Sequence, residues 1–223
     1  MKRVNNVILV VVGAAVATSL EGAEPGLLLP DPPANPGETL ALPPPRIWAG
    51  EVGEGFRPDV QTFSIEPGVA LGLQAFGGQQ VHDLGLLSLS YGHMLGEVMG
   101  GDHWYRGNLE LRGELFSGGQ FSPNAVPLVG LTPHLRYNFA TSSRWVPFAD
   151  LGAGVTASGI GPPDQSGTFE FNLQANIGTH WFVKDNLALT FEVGYLHMSC
   201  AGLHDPNLGV NTVKGMLGVT WFF

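Results

Sequence analysis

The feature that most constrains this chain is an alternation of apolar and polar residues that recurs from residue 60 onward. Within residues 168–182, Phe171 and Leu173 share one parity, whereas Glu170 and Asn172 share the other. Successive side chains of a β-strand point to opposite faces, so each such segment has one apolar and one polar face. The pattern predicts long β-strands, and the 32 glycines and 17 prolines argue against a mostly helical chain.

Turn-forming residues divide this region into eight segments. An even number of antiparallel strands closes into a barrel without an unpaired edge, which lipid requires because unpaired backbone groups are costly there. Strands of about 10 to 14 residues are longer than is usual in soluble proteins and fit a tilted membrane span. The predicted strands are residues 64–77, 82–96, 103–117, 126–140, 144–157, 168–183, 186–199 and 210–223.

We therefore predict an all-β fold, namely an eight-stranded antiparallel transmembrane β-barrel of a bacterial outer membrane. No apolar run of about 18 residues follows the N-terminal segment, so the sequence does not indicate membrane-spanning helices. A barrel of this size is filled by its own side chains, which disfavours a pore. Two alternatives stay open, which are a soluble barrel with its apolar face inside and a small transport barrel.

The first residues of the sequence indicate export. Two basic residues precede an uncharged apolar stretch over residues 7–16, and small residues follow, so residues 1–19 are predicted to be a signal peptide. An uncleaved anchor is the alternative. Residues 20–46 are rich in proline and are predicted to form an extended or disordered extension. The barrel domain is assigned to residues 47–223, in which 47–57 is either an early strand or a continuation of the extension.

Charge and residue usage limit the possible partners. The net charge of −9 argues against nucleic acid, because phosphate binding needs clustered Lys and Arg. The histidines show no paired ligand spacing with Cys, Asp or Glu, so no metal or other cofactor is predicted. The last alternating segment ends in the aromatic residue Phe223, which resembles the assembly signal of outer-membrane barrels. Further aromatic residues near the predicted strand ends suit interfacial girdles, namely Tyr91, Tyr105, Tyr137, Trp181, Tyr195 and Trp221.

One group of polar residues interrupts the apolar parity near the end of the chain. His197 and Ser199 are two apart on a predicted strand, so they project from the same face, which is also that of Val193. Asn211 shares the parity of Val213 on the next predicted strand. Three polar side chains are thus predicted on the lipid-facing surface. Polar groups there are expensive, which makes a functional site the leading hypothesis.

This arrangement resembles the lipid A 3-O-deacylase family, the PagL-type outer-membrane hydrolases. The specific match is confined to the C-terminal part of the chain. The matching residues are the His-x-Ser pair at 197 and 199, Ala201-Gly202-Leu203, Pro206-Asn207, Gly209-Val210 and a polar residue at 211. Members of that family are eight-stranded barrels with a Ser–His hydrolase site on the outer wall.

The resemblance implies a serine esterase that acts on lipid A, within lipopolysaccharide, and that contacts outer-membrane lipid. Ser199 would be the nucleophile, His197 the general base and then acid, and Asn211 the third member of the triad. The sequence leaves a homodimer open. Candidates for stabilising the oxyanion are the Asn207 side chain and the backbone N–H groups near Ala201 and Gly202.

The sequence departs from the family pattern at two positions. Asn211 stands where the family has an acid, and Cys200 replaces the asparagine usual after the serine. Asparagine can orient the histidine but adds no negative charge, so a weaker enzyme is expected, unless Asp205 supplies a carboxylate instead. The alternative is a non-catalytic structural or adhesion barrel, in which His197 belongs to an interfacial girdle and Ser199 has no chemical role.

Overall fold

The computed structural model describes residues 56–141 and 143–223. The predicted signal peptide (1–19), the proline-rich extension (20–46) and residues 47–55 of the assigned barrel domain lie outside the described residues. The described part of the chain contains no helix that is long and apolar enough to cross a membrane. The strands are β1 (Gln61–Leu73), β2 (Asp83–Met94), β3 (Gly107–Ser122), β4 (Val126–Phe139), β5 (Trp145–Ser158), β6 (Phe169–Lys184), β7 (Leu187–Ser199) and β8 (Val210–Phe222).

The eight strands form a closed antiparallel barrel in which each strand pairs with its neighbours in sequence and β1 also pairs with β8. The predicted all-β, eight-stranded barrel is therefore confirmed. Even-numbered residues of the strands point into the barrel, and odd-numbered residues point outward. The outward set includes exposed apolar side chains on every strand, such as Leu71, Leu89, Leu131 and Leu217. An apolar exterior around a polar interior is the pattern of a barrel in lipid.

The interior is filled by charged and polar side chains that contact one another. Arg136 lies 2.7 Å from Asp150 and 2.9 Å from Glu192, and Lys214 lies 2.9 Å from the other oxygen of Glu192. Arg112 approaches Glu66 at 3.2 Å. Buried charges in this network have counterions at hydrogen-bond distance, as burial requires.

The two ends of the barrel differ. The terminal end, where β1 begins and β8 ends, is closed by a cluster of apolar side chains that includes Phe56, Phe182 and Phe222. We call the opposite end the loop end. It carries the four connections at residues 74–82, 123–125, 159–168 and 200–209.

The predicted limits of two strands were wrong. β1 was expected at 64–77 but ends at Leu73, because Phe76 and Gly77 take left-handed conformations with φ of 51° and 95° that a strand does not accommodate. β3 was expected at 103–117, yet it runs from Gly107 to Ser122. Gly118 continues this strand because it passes close to β2, where an added Cβ would lie 1.9 Å from the Gly85 carbonyl oxygen.

Candidate active site

His197 and Ser199 lie on the outer wall of the barrel at the loop end, near the end of β7. Both point outward and both are half-buried. The β7–β8 pairing places Asn211 directly opposite His197. The period-two alternation and the strand register together bring the three predicted residues to one place on the lipid-facing surface.

The three side chains form a hydrogen-bonded chain. His197 Nε2 lies 3.0 Å from Ser199 Oγ, and His197 Nδ1 lies 2.8 Å from Asn211 Oδ1. Since the Asn211 oxygen can only accept, His197 donates from Nδ1, which leaves Nε2 free to accept the hydroxyl proton of Ser199. This tautomer is the one a general base needs beside a serine nucleophile.

The carboxamide of Asn211 is held from three sides. Its Oδ1 accepts hydrogen bonds from His197 and from the Tyr195 hydroxyl, and its Nδ2 donates to the Ala75 carbonyl oxygen at 3.1 Å. These contacts leave Asn211 only 2% exposed although it is on the outward parity. A reversed carboxamide would set Oδ1 against the Ala75 carbonyl oxygen, and neither oxygen can donate. The hydrogen bonds therefore fix the oxygen toward His197.

The connection after Ser199 brings the predicted oxyanion residues next to the serine. Asn207 Oδ1 accepts from the Cys200 N–H at 2.9 Å, so Nδ2 is the part of Asn207 that can donate to a substrate. Ala201 and Gly202 have φ values of 52° and 79° and lie exposed on the connection. Asp205 is also exposed, and the described residues show no hydrogen bond or ion pair between Asp205 and His197.

Gly209 forms the inner side of this connection. Its φ of 78° is in the left-handed region, and a Cβ added there would lie 2.8 Å from Cε1 of His197. A side chain at this position would be strained and would also press against the imidazole. The glycine lets the backbone pack directly on the ring.

An apolar groove of about 670 Å³ leads from the imidazole across the outer faces of β5, β6 and β7. Its shape and apolar walls suit an alkyl chain. Phe76, which is 82% exposed at the tip of the connection at residues 74–82, stands at one side of it. The other lining residues are Leu151, Gly152, Leu173, Gln174, Ala175, Tyr195 and His197.

Sequence reasoning missed two contacts of the candidate site. Tyr195 was assigned only to an aromatic girdle, although its position two residues before His197 puts it on the same face of the strand. The hydrogen bond between Asn211 and Ala75 joins residues that are far apart in sequence, and no local sequence pattern predicts it. The described residues contain no group of His, Cys, Asp and Glu that could hold a metal ion.

Comparisons with known proteins point to one family. A model of the lipid A 3-O-deacylase (PagL) family matches residues 87–220, which is more than half of the chain. The crystal structure of the outer-membrane enzyme PagL is 18% identical and superimposes with a TM-score of 0.54, over 70% of this chain and 97% of that one. Its similarity supports the same barrel fold.

A second solved structure, Neisserial surface protein A (NspA), is 14% identical with a TM-score of 0.48, over 74% of this chain and 97% of that one. A comparison with curated proteins found no match.

Proposed function

The chain belongs to the lipid A 3-O-deacylase (PagL) family, and from this premise we propose that it is a serine esterase that removes the 3-O-linked acyl chain of lipid A. It is a barrel of the bacterial outer membrane. The observation that carries the proposal is the 3.0 Å contact between His197 Nε2 and Ser199 Oγ on the lipid-facing wall. An acyl ester of a membrane lipid can reach this hydroxyl without leaving the bilayer.

In the first half of the reaction, Ser199 Oγ attacks the ester carbonyl carbon while His197 Nε2 takes the hydroxyl proton. The tetrahedral oxyanion accepts hydrogen bonds from Asn207 Nδ2 and from the N–H groups of Ala201 and Gly202. His197 then gives the proton to the sugar oxygen as the carbon–oxygen bond breaks. The acyl chain remains as an ester of Ser199, and the sugar hydroxyl departs.

In the second half, water attacks the acyl-serine while His197 Nε2 takes a proton from it. The second tetrahedral intermediate collapses, the proton returns to Ser199 Oγ, and the free fatty acid leaves. The acyl chain occupies the apolar groove through both halves, because the groove begins at the imidazole. No cofactor is needed for these steps.

The neutral Asn211 takes the place of an acid as the third member. Its oxygen accepts the Nδ1 proton at 2.8 Å and so holds the ring in the tautomer that the reaction requires. It provides no negative charge for the imidazolium, so turnover is expected to be slower than with a carboxylate in an equally good geometry. The Tyr195 hydroxyl donates a second hydrogen bond to the same oxygen and so helps to hold the carboxamide in place.

The test is the mass of lipid A extracted from a Gram-negative host that expresses the chain. The parent should shift lipid A by the mass of one hydroxyacyl chain, and Ser199→Ala should abolish the shift. Ser117→Ala is the matched control, because Ser117 also faces outward near the loop end but lies on β3. If Ser199→Ala shifted lipid A as much as the parent, the proposal would be wrong.

A non-catalytic barrel is the second candidate, and the absence of an acid at Asn211 favours it. This candidate predicts that the parent barrel inserts into the outer membrane and leaves lipid A unchanged. Its insertion can be checked by the difference in electrophoretic mobility between unheated and heated samples.

A further inference from the structure

We propose that Asp164, in the connection between β5 and β6, is a positioning residue for the hydrolytic site. It accepts hydrogen bonds from the two connections that contact His197 and Asn211. The inference rests on the proposed function. Asp164 does not touch the reacting atoms. It acts through the connections at residues 74–82 and 200–209.

The side chain of Asp164 organises the first of these connections. Its Oδ1 accepts from the Gln79 N–H at 2.7 Å, and its Oδ2 accepts from the Gln80 N–H at 2.9 Å and lies 2.8 Å from His82 Nε2. The carboxylate is fully buried. Burial alone would raise the pKa of Asp164, but the hydrogen bonds from Gln79, His82 and Gln80 outweigh it and lower the pKa. The group is thus kept as an ionised acceptor.

The backbone of the same residue organises the second connection. The Asp164 carbonyl oxygen accepts from the Leu208 N–H at 3.0 Å and from the Gly209 N–H at 3.1 Å. One residue thereby receives hydrogen bonds from two connections that are far apart in sequence. Such a bridge fixes the position of one connection relative to the other.

Both connections that Asp164 bridges contact the candidate site. Gly209 packs against the edge of the His197 ring, and Ala75 in the other connection accepts from Nδ2 of Asn211. Movement of either connection would change the direction of the imidazole or of the carboxamide. A small misplacement of a catalytic group can reduce the rate about 100-fold, so holding these connections still is a catalytic requirement.

The network also reaches the remaining connection at the loop end. His82 Nδ1 lies 2.5 Å from Gln120 Oε1, and Gln120 Nε2 donates to the Asn124 carbonyl oxygen at 2.9 Å. Hydrogen bonds centred on Asp164 therefore link all four connections. Nothing comparable is needed for closure of the barrel, since the strand pairing alone closes it.

The experiment compares the parent with Asp164→Asn and Asp164→Ala, purified as folded barrels and assayed on lipid A in detergent micelles. Both variants keep the backbone carbonyl and lose carboxylate contacts. We expect kcat to fall about 10-fold to 100-fold with KM changed less than about threefold, because the bridge orients the site and does not bind substrate. Asp164→Glu, which keeps two acceptor oxygens, should recover part of the loss.

Asp102→Asn is the matched control, because it removes an exposed carboxylate from the terminal end of the barrel. It should leave kcat unchanged. Amide hydrogen exchange provides a readout that does not depend on activity. In Asp164→Asn, the N–H groups of Gln79 and Gln80 should exchange faster, whereas those of the strands should keep the parent rates.

The outcomes separate the two proposals. If Ser199→Ala is as active as the parent, the proposed function fails, and the inference fails with it. If activity requires Ser199 but Asp164→Asn keeps more than half of the parent kcat, only the inference is overturned. The inference is also overturned if the N–H groups of Gln79 and Gln80 in Asp164→Asn exchange at the parent rates. It is overturned as well if Asp164→Glu is shown to be folded by its electrophoretic mobility and yet recovers none of the activity lost in Asp164→Ala.

Discussion

Two polar networks lie on opposite sides of the same barrel wall, and they satisfy their members in different ways. The interior network is centred on full charges, in which Arg136 contacts Asp150 and Glu192 at 2.7 and 2.9 Å. The outer network consists of a hydroxyl, an imidazole, a carboxamide and a phenol, which belong to Ser199, His197, Asn211 and Tyr195. The interior uses ions, and the outer wall uses neutral groups.

The difference follows from what surrounds each network. Inside the barrel, a charge can be given a counterion by a side chain of another strand, as Arg136 is by Asp150 and Glu192, so ion pairs are tolerated there. On the outer wall, the half-buried His197 and Ser199 face lipid, which offers no counterion, and an unpaired charge is expensive there. A carboxamide at position 211 orients His197 at a smaller desolvation cost than a carboxylate. A neutral side chain at position 211 is therefore compatible with its place on the outer wall.

The largest expected effect concerns the interior network. Arg136→Ala removes the cation that contacts both Asp150 and Glu192, and each of the three side chains is almost fully buried. Removing one partner of a buried ion pair costs about 3–5 kcal/mol, so the free energy of unfolding in urea should fall by about that amount. Arg144→Ala, which removes an exposed pair with Asp185, should cost less than about 1 kcal/mol. Equal losses would show that the interior charges are not a coupled network.

The second effect tests whether the outer network is built for a neutral residue. Asn211→Asp would set a carboxylate oxygen against the Ala75 carbonyl oxygen, where Nδ2 now donates at 3.1 Å. The repulsion displaces the connection or the new side chain, so we expect deacylation to fall about 10-fold, which corresponds to a barrier higher by about 1.4 kcal/mol. Asn186→Asp, an exposed site at the terminal end, should leave the rate unchanged. A faster Asn211→Asp enzyme would contradict the comparison of the two networks.

The smallest expected effect concerns the hydroxyl group of Tyr195. Tyr195→Phe removes one of the two hydrogen bonds to Asn211 Oδ1 and leaves the bond from His197 in place. A neutral hydrogen bond contributes about 0.5–1.5 kcal/mol, so kcat should fall between about twofold and tenfold. Tyr91→Phe is a close control, since Tyr91 also donates to a carboxamide oxygen, that of Gln61, on the outer wall. A decrease of the same size in both variants would exclude a specific role for Tyr195.

The sequence predicted the barrel well because its main determinant is local. The period-two alternation determines which side chains face lipid, and this alternation alone was enough to assign His197, Ser199 and Asn211 to the correct wall. The strand limits were less accurate where glycines occur. Gly118 and Gly119 resemble turn residues in the sequence, but in the barrel they extend β3 past a closely packed β2.

The contacts around the candidate site were harder to predict because they join distant connections. The Ala75 carbonyl and the Asp164 carboxylate contribute through hydrogen bonds to residues that are remote in sequence. Such contacts depend on how the connections fold over the end of the barrel, and no periodicity describes them. The candidate catalytic pair was predicted from its place on the apolar parity together with the resemblance to the family, whereas the groups that hold it in place were not predicted.

The central claim is that Ser199 is an activated nucleophile on the lipid-facing wall. A long-chain alkyl fluorophosphonate tests it directly, because an activated serine oxygen displaces fluoride and retains the phosphonyl group. Mass mapping of the folded barrel should find a single adduct on Ser199, unchanged in Ser117→Ala and lost in His197→Ala. No adduct on the parent, or an equal adduct in His197→Ala, would contradict the account.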